Sequence, residues 1–416
     1  MSRLSELIRD LCPDGVEFKA LEEIFVTRNG YTPRKGDASA WESGDVPWFR
    51  MEDIRENGGI LSNARTRVSS SAVKGGRVFP ANSILVATSA TIGAHALITV
   101  PHLSNQRFTS LQLKEEYCGV FDHKFLYYYC FLLDEHCLKN VHVSSFASVG
   151  MRAFRSFRFP VVPLEVQQEI VRILDQFTTL EAELEAELEA RRKQYEYYRD
   201  SLLSFHPGDR SVRWVSIGDA SDVFGGLTGK RKGDFGVGDA RYASYRNVYS
   251  NIALDVDPEE RVRIRPDENQ RRLLLGDLVL TGSSESRDEV GMSSVVVDQP
   301  PHDLYLNSFC IGVRWRDPEA YYPNFVKHLF RSGAMRKLIS CSADGVTRFN
   351  LSKRKLKKLV IPVPLIEEQR RIADILDRFD TLVNDISSGL PAELEARRKQ
   401  YEHYRDRLLL FPEKEA

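Results

Sequence analysis

ELEARRKQYEYYRD, Glu187 to Asp200, returns as ELEARRKQYEHYRD, Glu393 to Asp406, with one difference, Tyr197 against His403. The offset is 393 − 187 = 206 residues. Upstream, FPVVPLEVQQEIVRILDQFTTL (Phe159 to Leu180) returns as IPVPLIEEQRRIADILDRFDTL (Ile361 to Leu382) at 361 − 159 = 202, so the second copy carries 206 − 202 = 4 extra residues between its two blocks. Solenoid units run to roughly 20–50 residues, so a repeat of about 200 reads as a duplicated pair of domains. Weaker echoes extend the unit. Phe18 to Ile24 resembles Trp214 to Ala220, and Thr32 to Lys35 resembles Thr228 to Arg231, both at an offset of 196. SILVATSA from Ser83 echoes DLVLTGSS from Asp277, Asn105 echoes Asn307, and the aromatic run Phe125 to Cys130 faces Phe325 to Phe330.

Both shared segments read as helix. Alternating steps of four and three from Ile170 give Ile170, Leu174, Phe177, Glu181, Leu184, Leu188, Arg191, Tyr195, Tyr198, Leu202 and Phe205, a coiled-coil-like seam interrupted only by Glu181 and Arg191. Pro163 precedes this helix, acidic residues crowd its first turn, and Pro207-Gly208 stops it, for a length of roughly 55 Å. The second copy offers Ile372, Leu376, Phe379, Val383, Ile386, Leu390, Leu394, Tyr401, Tyr404, Leu408 and Phe411, with a break expected at Ser387-Ser388-Gly389 and Pro391. Each stripe is the economical partner of the other, because pairing within one chain avoids the entropy of assembly. A pseudo-two-fold antiparallel pair follows, a ruler between two globular parts. A plain linker or dimerisation element is the alternative reading of the seam alone.

Residues 1–160 and 206–362 are rich in short apolar runs broken by Gly, Pro, Asn and Asp, such as Ile84 to Ala87, Ala96 to Val100, Leu273 to Leu280, Ser294 to Val297 and Cys310 to Trp315. The expected class is α+β: globular modules over 1–160 and 206–362, helices over 161–205 and 363–416. Lys and Arg total 58 against 59 Asp and Glu, for a net charge of −1, which excludes a uniformly basic coat but not local basic faces. The modules carry those faces, with Arg28, Arg34, Lys35, Arg50, Arg55, Arg65, Arg67, Lys74, Arg77 and Arg107 in the first. Lys230, Arg231, Lys232, Arg241, Arg246, Arg261, Arg263, Arg265, Arg271 and Arg272 fill the second, and aromatic residues are interspersed in both. That mixture suits phosphates and base edges, although a single arginine of this kind is most often a solvated charge.

No catalytic pattern stands out. GGLTGKR (Gly225 to Arg231) has its second glycine one place too early for a phosphate loop and Arg231 where a Ser or Thr would hold magnesium. His142 and Cys137 lack a third ligand. Six cysteines without a Cys-x-x-Cys pair, a charged N-terminus and the lack of an 18-residue apolar run point to the cytoplasm and away from a membrane.

PLEVQQEIVRILDQF from Pro163, PLIEEQRRIADILDRF from Pro364, the doubled RRKQYE ends and the opening LCPDGVEFKALEEI from Leu11 closely resemble specificity subunits of type I restriction-modification enzymes. The resemblance covers essentially the whole chain. It implies that residues 1–160 and 206–362 are target-recognition domains, each reading one half of a split site in double-stranded DNA, and that the helices set the gap. Because the modules differ, the half-sites should differ too. It also implies two methyltransferase subunits as partners, supplying S-adenosylmethionine and adenine N6-methylation, and restriction subunits supplying ATP- and Mg2+-dependent translocation. No cofactor and no catalysis are expected in this chain. Arg50, Arg65, Arg107, Lys230, Arg246 and Arg287, in polar turn-rich stretches, are the candidate DNA contacts. A scaffold joining two protein partners, and a specificity subunit of a related phage-defence methylation system, are the competing expectations.

Overall fold

The computed structural model describes residues 3–415 apart from 35, 43, 74, 76, 144–146 and 386, so Lys35, Lys74 and Ile386 lie outside the described residues. Two compact units form, Met1–Glu183 with Glu395–Ala416 and Leu184–Leu394.

In the first unit the strands Phe25–Asn29, Phe108–Leu113, Ser83–Ala87, His95–Ile98 and Ile60–Leu61 lie in that order in one sheet. The central strands Ser83–Ala87 and His95–Ile98 are buried at every residue, on both faces, as a covered sheet requires. Helix His123–Lys139 covers it, putting Phe125, Tyr128, Tyr129 and Leu133 into one core with Ile84, Val86, Leu97 and Leu111. The Asp122 side chain caps this helix, accepting from the Lys124 and Phe125 N–H groups. Val46–Phe49, Arg67–Val68 and Leu103–Ser104 make a smaller sheet beside it.

The long helix, Leu164–Leu202, is 39 residues, or about 58 Å at 1.5 Å per residue. Ile170 and Leu174, the first two seam residues, are buried with Val166 in the core of the first unit. The start of the seam therefore packs on a module as well as on a helix. Phe177 then meets the rings of Tyr401 and Tyr404, and Glu181 meets the Arg398 guanidinium at 2.6 Å. Partner numbers fall as helix numbers rise, so these two segments of the first unit run antiparallel. Tyr401 and Leu408 also lie against that unit's core.

The second unit repeats the plan with Ser221–Gly225, Cys310–Trp315, Leu278–Thr281 and Ser293–Val295 in one sheet. The run Leu273 to Leu280 extends only over Leu278–Thr281, because Gly276 turns the chain at φ +85°. Leu188, Tyr195, Ile372, Leu376 and Val383 share a core with Phe325 and Phe330, and Leu202 and Phe379 are half-buried beside it. Leu184 is half-buried, and Leu394 is buried. Helix Ile366–Asn384 ends before Leu390–Leu408 begins. Gly389 sits in the break, where a Cβ would come within 2.4 Å of the Thr381 carbonyl oxygen. The Asp385 carboxylate accepts from the Ser387 and Ser388 hydroxyls and the Ser387 N–H, bonds that hold its pKa down at about 2.

Two features recur by the repeat. Phe177 stacks on Tyr404 at 5.7 Å and 24° in the first unit, and Tyr198 stacks on Phe379 at 5.4 Å and 26° in the second. These are equivalent pairs, since 177 + 202 = 379 and 198 + 206 = 404. Gln167 is fully buried, donating to the Val162 and Val120 carbonyls and accepting from the Asp122 N–H. Gln369 does the same with the Pro364 and Ala320 carbonyls and the Tyr322 N–H. Each glutamine fastens a helix start to the beginning of its module's helix.

Candidate nucleic-acid interface

In the first module a buried carboxylate gathers two of the candidate arginines. Asp53, 1% exposed, accepts the backbone N–H of Arg50 at 2.7 Å and that of Arg65 at 2.9 Å. The Asn105 N–H donates to the Phe49 carbonyl at 3.2 Å, which brings Arg107 to the same side. Arg50, Arg65 and Arg107 thus share one edge of the module. Thr32, Trp41, Trp48, Arg50 and Thr66 line a cleft there of about 350 Å³. Trp41 and Trp48 pack edge to face at 5.2 Å, and the Arg50 guanidinium lies over Trp48 at 5.8 Å. Arg65 pairs with Glu56 at 2.6 Å on the surface, an exchangeable contact of small worth. Arg107 is exposed and makes no ion pair with a described residue. Tyr31 and Trp48 are tied to each other at this edge: Trp48 Nε1–H donates to the Tyr31 carbonyl at 3.0 Å.

In the second module many basic groups are spent internally. Lys230 is not a free contact. Its side chain is 3% exposed, its ammonium lies on Glu268 and the Arg263 carbonyl, and that hydrogen bond holds the Glu268 carboxyl below its ordinary pKa. Arg241 goes to Asp257, Arg271 to Asp222 and Arg272 to Asp303. Arg331, donating to the Ser293, Tyr249 and Asn251 carbonyls, is buried deeply enough that its pKa falls to about 10. Arg246 remains exposed and without an ion pair among the described residues, beside Tyr245. Arg287 is exposed over the Phe349 ring at 5.9 Å. Tyr245, Ser283, Ser284, Glu285, Glu289, Phe309 and Arg348 line a cleft of about 440 Å³ at this edge. Arg261, Arg263 and Arg265 are also exposed without ion pairs among the described residues, next to the buried Val262.

Sequence reasoning passed over Phe309 and Arg348. The signal for Phe309 was present: Asn105 and Asn307 are matched, and two residues on from each stand Arg107 and Phe309. Among the described residues no three of His, Cys, Asp and Glu converge as metal ligands would. His95 and Asp134 pair at 2.6 Å but are sealed beneath Tyr127 and Phe131. No helix of the described residues is long and apolar enough to cross a membrane.

A model of the type I restriction modification DNA specificity domain matches residues 13–190 and 292–396. The chain is 41% identical over 401 residues to the type I restriction enzyme EcoprrI specificity subunit of Escherichia coli, covering 93% of both chains. It is 37% identical over 267 residues to the EcoR124I/EcoR124II specificity subunit of the same organism, covering 62% of each. In fold it matches a chain from a structure of complex assembly and conformational transition in the type I R-M system, with a TM-score of 0.65 and 16% identity over 96% of this chain and 98% of that one.

Proposed function

The chain belongs to the type I restriction-modification DNA specificity family, and on that premise we propose that it selects an asymmetric, split DNA target and presents that DNA to methyltransferase subunits. The observation that carries this reading is the doubled edge: one scaffold, used twice, bears a cleft lined by aromatic rings and an arginine in each module, with different side chains in each. Two copies of one reader would select a palindrome; two unlike readers select two unlike half-sites. Arg50, Arg65, Arg107, Arg246 and Arg287 contact DNA, with Arg348 added from the cleft and Lys230 holding a loop in place. The chain catalyses nothing itself. It works in the cytoplasm with two methyltransferase subunits, whose S-adenosylmethionine supplies the methyl group, and with restriction subunits that use ATP and Mg2+.

Mapping methylated adenines genome-wide, with and without this gene, tests the proposal. The expected result is a motif of two unlike halves around a fixed gap that disappears with the gene. An unchanged map in a cell whose methyltransferase subunits are active counts against it, and favours a scaffold that joins protein partners.

A further inference from the structure

The two modules carry the same turn at the same place, bond for bond. In the first, the Asn105 side-chain oxygen accepts the Arg107 N–H at 3.0 Å, the Asn105 N–H donates to the Phe49 carbonyl, and the Thr88 N–H donates to the Arg107 carbonyl at 3.0 Å. In the second, the Asn307 side-chain oxygen accepts the Phe309 N–H at 2.9 Å, the Asn307 N–H donates to the Ala243 carbonyl at 3.0 Å, and the Gly282 N–H donates to the Phe309 carbonyl at 2.7 Å. Gly30 and Gly226 back the turns so closely that a Cβ would come within 2.2 Å of the Asn105 carbonyl oxygen and 1.9 Å of that of Asn307. The residue after each tip, Phe108 or Cys310, is buried and anchors the turn.

What differs is the side chain presented: an arginine without an ion pair among the described residues at 107, a phenylalanine 62% exposed at 309. Packing does not explain an exposed ring on a turn this tightly bonded, and the matching position carries a group of opposite chemistry. Both turns border the clefts described above, through Phe49 beside Arg50 in one module and as a lining residue in the other. An arginine held on a stiff turn matches the two acceptors of guanine, O6 and N7, whereas an aromatic ring matches the methyl group of thymine.

We infer that these turns are equivalent base-reading fingers, Arg107 selecting a guanine in one half-site and Phe309 selecting a thymine, through its methyl group, in the other. The inference rests on the proposed reading of split DNA, and the following test separates the two. Arg107→Ala and Phe309→Ala are made at the gene's own locus, and adenine methylation is mapped in each strain. Both side chains are exposed, so folding is not at issue. Arg107→Ala is expected to relax one guanine of one half-site, losing roughly 5- to 150-fold discrimination there, with the other half-site unchanged. Phe309→Ala is expected to relax one thymine of the opposite half-site. In the purified complex, replacing that thymine by deoxyuridine, which removes only the methyl group, should weaken binding roughly fourfold in the wild type and not in Phe309→Ala. Uniformly weaker methylation with an unchanged motif makes Arg107 a phosphate contact and overturns its part. Indifference to deoxyuridine at every thymine overturns that of Phe309. A wild-type strain with no split motif overturns the underlying reading, and the fingers with it.

Discussion

Two buried side chains set consequences that belong to single residues. Gln369 satisfies the Tyr322 N–H and the Ala320 and Pro364 carbonyls where water does not reach. Gln369→Leu keeps the volume but strands all three groups, and is expected to lower stability by about 3 kcal/mol in denaturant melts, since each stranded buried group costs roughly 1–3 kcal/mol and some will recover water. Glu367→Ala, on the exposed side of the same turn, should change it by less than about 0.5 kcal/mol. His102 is wedged between Phe49 and Phe79, with Nδ1 on the Val100 carbonyl at 2.9 Å. Burial lowers its pKa from 6.5 to about 4. Between those values the unfolded chain binds the proton and the folded one does not, so stability from this site is complete above pH 6.5 and lost as pH falls toward 4. The difference amounts to about 3 kcal/mol. Melting midpoints of His102→Asn should fall less steeply than wild type over that interval, and parallel curves would remove His102 as the cause.

At the scale of elements, the stacked rings test whether the repeat is energetic as well as visual. Phe177–Tyr404 and Tyr198–Phe379 share geometry within 0.3 Å and 2° (5.7 − 5.4; 26 − 24). Double-mutant cycles to alanine should return coupling of roughly 0.5–1.5 kcal/mol for each pair, and similar values for both. Coupling near zero in one pair alone would show that the two helix contacts have diverged. Much of this level was legible in the sequence. Period and offset located the helices and the break before Pro391, because long amphipathic repeats impose their pattern over many turns; Tyr198 and Tyr404, on the same stripe, are exposed. The double duty of Ile170 and Leu174 was not legible, since periodicity gives a buried stripe but not the element that buries it. Nor was the shortening of Leu273–Leu280, where apolar content suggested strand and Gly276 imposed a turn. At the interface, Lys230 read as a free cation because its partner Glu268 lies 38 residues away and only the folded loop joins them. Phe309 was missed because composition directs attention to charge.

For the whole molecule, the end of the chain is a working part of the first unit. The Val16 N–H donates to the Pro412 carbonyl at 2.9 Å, the Lys414 N–H donates to the Val16 carbonyl at 3.0 Å, and Arg158 grips Glu413 through two nitrogens at 3.0 and 2.6 Å. Leu409, 1% exposed, belongs to that unit's core. In the second unit the matching residue, Leu203, is buried likewise, but there the helix end runs covalently on to the strand beginning at Val212. The same junction is thus made once by the chain and once by side chains and hydrogen bonds alone. Removing residues 409–416 deletes one fully buried leucine, worth roughly 1.5–3 kcal/mol, and two backbone hydrogen bonds of about 1 kcal/mol each. The expected outcome is a loss of about 4 kcal/mol in amide-exchange protection across the helix His123–Lys139 and strands Ser83–Ala87 and Phe108–Leu113. Protection in the helix Pro323–Arg331 and strand Cys310–Trp315 should stay the same, because no residue of their unit is removed. Equal loss in both sets would mean that the units unfold as one, and unchanged protection in the first would mean that the terminal contacts contribute nothing to its fold.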